Sequence, residues 1–120
     1  MEKSAMASGL VFETGAEEFD EKVLQASKAR PVMVDFWADW CPPCITLTPV
    51  LERVVAAYGG AFTLAKVEVD AGENMRLAGR YGLRGFPTVI LFVGGEEAGR
   101  FHGAKPDHWV KDFVDEHSRG

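Results

Sequence analysis

Apolar residues in this chain follow two rhythms: short, nearly continuous runs, and longer stretches with a period of three to four. Residues 10–12 read as a short strand. Thr14 and Glu17 stand in capping-box spacing, which predicts a helix to about Ala29 with Phe19, Val23 and Ala26 inward, stopped by Pro31. Residues 32–38 are apolar apart from Asp35, the pattern of a central strand covered on both faces. A second helix starts at Pro42 or Pro43, where a missing N–H costs little, and shows an apolar face of Leu47, Val50, Leu51, Val54 and Val55. Pro49 inside it predicts a kink, and Gly59-Gly60 ends it. Residues 62–70 form a third strand, and residues 73–81 a short helix with Leu77 and Ala78 inward. Pro87 opens a strand over 88–93, and Gly94-Gly95 turns it into another near 98–101. Pro106-Asp107 starts the last helix, with Trp109, Val110, Phe113 and Val114 on its packing face and His108 and His117 toward solvent.

The order is therefore β-α-β-α-β-α-β-β-α. Strands separated by helices predict parallel crossovers, and the late hairpin predicts an antiparallel edge. The fold class is α/β: a central five-stranded mixed β-sheet flanked by four α-helices. A length of 120 residues, 47% of them hydrophobic, suits one domain, read as residues 10–120 behind a flexible segment at 1–9. The net charge of -5, without a basic cluster, argues against nucleic acid. No apolar run is long enough for a membrane helix, and the first residues lack the apolar stretch of a secretory signal, which points to the cytoplasm.

The chain has two cysteines, Cys41 and Cys44, within Trp40-Cys41-Pro42-Pro43-Cys44. They sit at a strand-to-helix junction, close enough to form and break a disulfide within one turn. A helix N-terminus favours the thiolate, the reactive form of the sulfur. Zinc is the competing use of such a pair. It needs four ligands, and His102 alone does not complete a set, so no metal is expected.

The stretches Val34-Asp35-Phe36-Trp37-Ala38-Asp39-Trp40-Cys41-x-Pro43-Cys44, Pro49, Leu64-Ala65-Lys66-Val67-Glu68-Val69-Asp70, Tyr81-Gly82-Leu83-Arg84-Gly85-Phe86-Pro87-Thr88 and Gly103-Ala104 resemble the thioredoxin family in order and spacing. The resemblance implies the thioredoxin fold and reduction of protein disulfides, with Cys41 as nucleophile and Cys44 as resolving thiol. It places Asp35 behind Cys44 as proton acceptor, Lys66 near that carboxylate, and Pro87 after a cis bond opposite the cysteines. Trp40, Pro42, Phe86 and the His102-Gly103-Ala104 loop would ring the site and bind substrate, with Trp37 supporting it from beneath. The implied electron donor is a thioredoxin reductase, the implied state a monomer, and no bound cofactor is needed beyond the Cys41–Cys44 pair.

Two positions depart from the family pattern: Pro42 stands where glycine is usual, and Ile45 where lysine is usual. Two prolines remove two backbone donors near Cys41 and stiffen the loop with Pro43. Ile45 removes a positive charge and makes the surface more apolar. The runs around Leu47-Thr48-Pro49 and Phe101-His102-Gly103 also resemble the thioredoxin domain of chaperone-type fusions, so a redox-active holdase is the alternative reading. An oxidant or isomerase of an oxidising compartment is the third, disfavoured by the active-site string.

Overall fold

The computed structural model describes residues 9–118, so all but the last residue of the segment read as flexible lies outside them. Strands β1 (Val11–Glu13), β2 (Val32–Trp37), β3 (Thr63–Glu68), β4 (Thr88–Val93) and β5 (Glu96–His102) form one sheet in the order β1-β3-β2-β4-β5. Four helical segments flank it. They are α1 (Asp20–Gln25, continued by Ala26–Lys28), α2 (Pro42–Ala57), α3 (Met75–Arg80) and α4 (Asp107–His117). The element order is the one predicted.

One crossover is not. β1, β3 and β2 run parallel, but β4 pairs antiparallel with β2, so the connection through α3 is no parallel crossover. Helix length accounts for this. The 16 residues of α2 advance about 24 Å and return the chain along a whole strand. The 6 residues of α3 advance only about 9 Å, and the chain re-enters the sheet from the end at which it left. The C-terminal end of β2 and the start of β4 therefore lie side by side, with Phe36 opposite Thr88.

The first helix also differs from its expectation. It begins at Asp20 rather than at Thr14, with a wide π-helical turn that tightens to 3₁₀ at Ala26–Lys28. Thr14 makes no cap, and its hydroxyl is buried without a partner among the described residues. The Asn74 side chain instead accepts from the Ala16 N–H at 2.8 Å and donates to the Glu68 carbonyl at 2.9 Å, pinning this segment beside α3. Ala26 is exposed, and Ser27 takes the inward place. The Ser27 hydroxyl donates to the Leu24 carbonyl and accepts from the Gly95 N–H, both at 2.8 Å, tying the helix to the β4–β5 turn.

Both sheet faces are covered, as the apolar run of β2 requires. Met33, Leu64, Val89 and Leu91 pack under α2 and α4, with Leu47, Leu51, Val54, Val110 and Phe113. Val34, Phe36, Ala65, Val67 and Phe92 pack under α1 and α3, with Phe19, Val23 and Leu77, and this cluster includes both cysteines. α2 runs unbroken through Pro49, whose ring lies on the exposed side where it displaces no core contact.

His117, expected in solvent, is half-buried. Its Nδ1 donates to the Phe113 carbonyl at 2.9 Å, and its ring sits 4.4 Å from that of Phe113, over Gly99 of β5. A Cβ at position 99 would strike the imidazole. Gly99→Ala should therefore lower stability by about 1–2 kcal/mol in denaturant unfolding. The same change made in a His117→Ala background should cost little, because the obstructing ring is gone.

Candidate active site

Cys41 is the residue before the first turn of α2, and its extended backbone (φ -110°, ψ 101°) turns the chain from the end of β2 into the helix. Its sulfur accepts from the Cys44 N–H at 3.3 Å. Pro42 and Pro43 fill the first two helical positions, so the donors they lack are missing from the turn beside that sulfur. A disulfide joins Cys41 and Cys44, with Cα atoms 5.3 Å apart. The two sulfur residues are not equivalent. Cys41 keeps 4% of its surface open, and Cys44 none.

Antiparallel pairing on β2 brings the Phe86–Pro87 bond, which is cis, against this turn. The Phe86 carbonyl oxygen lies 3.4 Å from the Cys41 sulfur. The Gly103 N–H donates to the Pro87 carbonyl at 2.9 Å, which closes the neighbouring loop, and Gly103 has φ 82°, where a Cβ is disfavoured. Trp40 is 61% exposed, meets Phe86 edge-on at 6.2 Å between ring centroids, and donates its indole N–H to Asp70. Ile45 is 54% exposed and shares a shallow cleft with Asp39, Trp40, Pro42 and Thr46. Ala104 is exposed. Phe86 thus meets the Cys41 sulfur directly, Trp40 and Pro42 flank it, and Gly103 joins through Pro87. His102 turns toward the sheet: the Thr88 hydroxyl donates to the Gly85 carbonyl at 2.7 Å, so the His102 Nδ1, 3.0 Å away, is the donor to Thr88.

Asp35 lies in the centre of β2, on the same side as Met33, beneath α2. It is 1% exposed, and neither carboxylate oxygen has a hydrogen-bond partner among the described residues. Burial pushes its pKa up to about 7, against the opposing pull of Lys66 and of the Thr48 hydroxyl, with Glu52 adding a small push upward. Lys66 is the register partner of Asp35, but its ammonium goes to Glu52 at 3.8 Å and lies 5.4 Å from the centre of the Trp37 ring. It influences the carboxyl from alongside without pairing to it. Trp37 is half-buried, and its indole N–H has no partner among the described residues.

Three residues in this neighbourhood escape a reading of the sequence alone. Asp70, at the end of β3, meets Trp40 only because β3 lies next to β2. Thr88 reaches both Gly85 and His102. Thr48 stands four residues after Cys44, and that helical spacing was the available signal.

The family model described as Thioredoxin matches residues 10–116. The chain is 40% identical over 110 residues to a thioredoxin of Chlorobaculum thiosulfatiphilum, covering 92% of this chain and 98% of that one. It is 46% identical over 101 residues to a probable thioredoxin-2 of Caenorhabditis elegans, covering 83% of this chain and 66% of the relative. It is 36% identical over 99 residues to thioredoxin 1 of a Nostoc species, covering 82% and 89%.

A carboxyl that ionises near 7 when folded and near its usual 3.8 when unfolded makes the folded state less stable as pH rises between those values. The Asp35 contribution to stability should therefore fall from about pH 4 to about pH 7, by about 4 kcal/mol at 1.36 kcal/mol per unit. Asp35→Asn should remove that slope. Denaturant unfolding at pH 4.5 and pH 8.5 measures both, and equal slopes in the two proteins would refute the assignment.

Proposed function

Since this chain belongs to the thioredoxin family and is a thiol–disulfide oxidoreductase that reduces protein disulfides, we propose a course for the exchange in which Cys41 acts first and Cys44 second. The observation that carries it is the unequal exposure of the two cysteines at the head of α2, Cys41 keeping a small opening to solvent and Cys44 none.

In the dithiol form the Cys41 thiolate attacks a substrate disulfide. A bond forms between its sulfur and one substrate sulfur, and the other substrate sulfur leaves as a thiolate and takes a proton from solvent. Cys44 then passes its proton to the Asp35 carboxylate and attacks the Cys41 sulfur. The Cys41–Cys44 bond forms, the mixed disulfide breaks, and the second substrate thiolate leaves. Two electrons pass from the protein to its substrate. Asp35 suits the acceptor role because a pKa of about 7 lets it hold or release a proton at neutral pH.

An extended substrate segment would lie along the exposed Trp40, the Phe86 backbone and the Gly103-Ala104 corner, adding itself as a strand. Pro87 and Pro43 shape that floor, Lys66 tunes Asp35 from the side, and His102 borders the groove while held to Thr88. Ile45 replaces a charge by an apolar contact and favours apolar residues flanking the substrate cysteine. Two electrons from a thioredoxin reductase would restore the dithiol, with no bound cofactor. We place the monomeric protein in the cytoplasm, where a dithiol is kept reduced. No helix among the described residues is long and apolar enough to cross a membrane. Neither the geometry nor the relatives favour the holdase alternative.

Insulin reduction followed by turbidity tests this course. Cys41→Ser should abolish it, and Cys44→Ser should accumulate a mixed disulfide at Cys41, visible by mass spectrometry under non-reducing conditions. A covalent adduct on Cys44 in place of Cys41 would reverse the assignment. The pair should have a potential on the reducing side, and Pro42→Gly should move it by about 30 mV or more, toward the value of about -270 mV of thioredoxin, because it restores a backbone donor and loosens the turn.

A further inference from the structure

Cys44, Thr48 and Glu52 stand at four-residue intervals along α2, so their side chains follow one another along one side of the helix. Glu52 continues to Lys66 at 3.8 Å. Asp35 lies on the β2 face that packs beneath α2 and is opposite Lys66 in the β2–β3 register, and burial there is opposed by Lys66 and Thr48. The other neighbours on this face are apolar: Val89 is the β4 residue paired with Asp35, and α4 contributes Val110, Phe113 and Val114 to the core.

The Thr48 hydroxyl donates to the Cys44 carbonyl at 3.1 Å. This is the usual backward bond of a helical threonine, made to an oxygen that already has its helical N–H partner. A hydroxyl has one proton and cannot serve two acceptors at once. Both Asp35 oxygens are without a donor among the described residues, a tolerable state for a protonated carboxyl and a costly one for a buried carboxylate.

We propose that Thr48 is a positioning residue whose hydroxyl leaves the Cys44 carbonyl for the Asp35 carboxylate when that group ionises, and so governs how readily Asp35 takes the proton of Cys44. A χ1 rotation frees the hydroxyl from the Cys44 carbonyl, which stays satisfied by the helix. The threonine methyl keeps the site filled in either position. This deepens the course proposed above, since only the resolving step uses the Asp35 proton.

Carbon-13 NMR titration of the Asp35 carboxyl, in the full chain with its disulfide closed, tests the proposal without depending on catalysis. Thr48→Val keeps the shape and removes the donor. It should raise the Asp35 midpoint by about one pH unit, a tenfold change in ionisation. Thr48→Ser, which keeps the hydroxyl, should restore most of the wild-type midpoint. The acid limb of the pH profile for mixed-disulfide resolution should move with the titration. An unchanged midpoint in Thr48→Val, or a shift that Thr48→Ser fails to reverse, overturns the role of Thr48. Absence of insulin reduction by the wild-type protein would instead overturn the exchange course and leave the titration result standing.

Discussion

The antiparallel pairing of β4 on β2 is the constraint on which the site depends. Phe36 opposite Thr88 sets the C-terminal end of one strand against the start of the other. The cysteine turn leaves the first, and Phe86-Pro87 enters the second. Had the chain crossed over to a parallel strand, those two segments would lie at opposite ends of the sheet. A helix of 6 residues after β3 makes the return from the same end natural. The Gly103 bond to Pro87 then brings the end of β5 to the same corner.

The second organising feature is a charge placed where a core wants none. Asp35 interrupts an otherwise apolar central strand, with no hydrogen bond to either oxygen among the described residues and its register partner Lys66 committed to Glu52. Folding pressure alone would favour a valine there, since burying a carboxyl without a partner is unfavourable. What the position supplies is a proton site of near-neutral affinity sealed from water. The surrounding polar row on α2 and β3 moderates the burial without cancelling it.

Much of this was legible in the residues. The run around Asp35, the Cys41–Cys44 junction and the Phe86-Pro87-Thr88 string located the sheet centre and both walls of the site. What stayed hidden had tertiary causes. The capping-box spacing of Thr14 and Glu17 lost to the Asn74 side chain, which claims the Ala16 N–H from a distant part of the chain. Ser27 displaced Ala26 from the interior because Gly95 needs an acceptor. His117 reads as solvent-facing by helical period, yet the missing side chain of Gly99 opens a seat for its ring. The sense of the last crossover depended on a helix length that periodicity marks only loosely.

The 5.3 Å between the Cα atoms of Cys41 and Cys44 is a spacing that the first turn of a helix provides unaided. Opening the bond between the sulfurs therefore asks for no rearrangement of the main chain. Docking partners that must tell the spent molecule from the recharged one meet almost the same silhouette in both. A partner would then have to sense where hydrogens and negative charge reside within a few ångströms of one side chain, which would keep recognition and electron transfer in a single place.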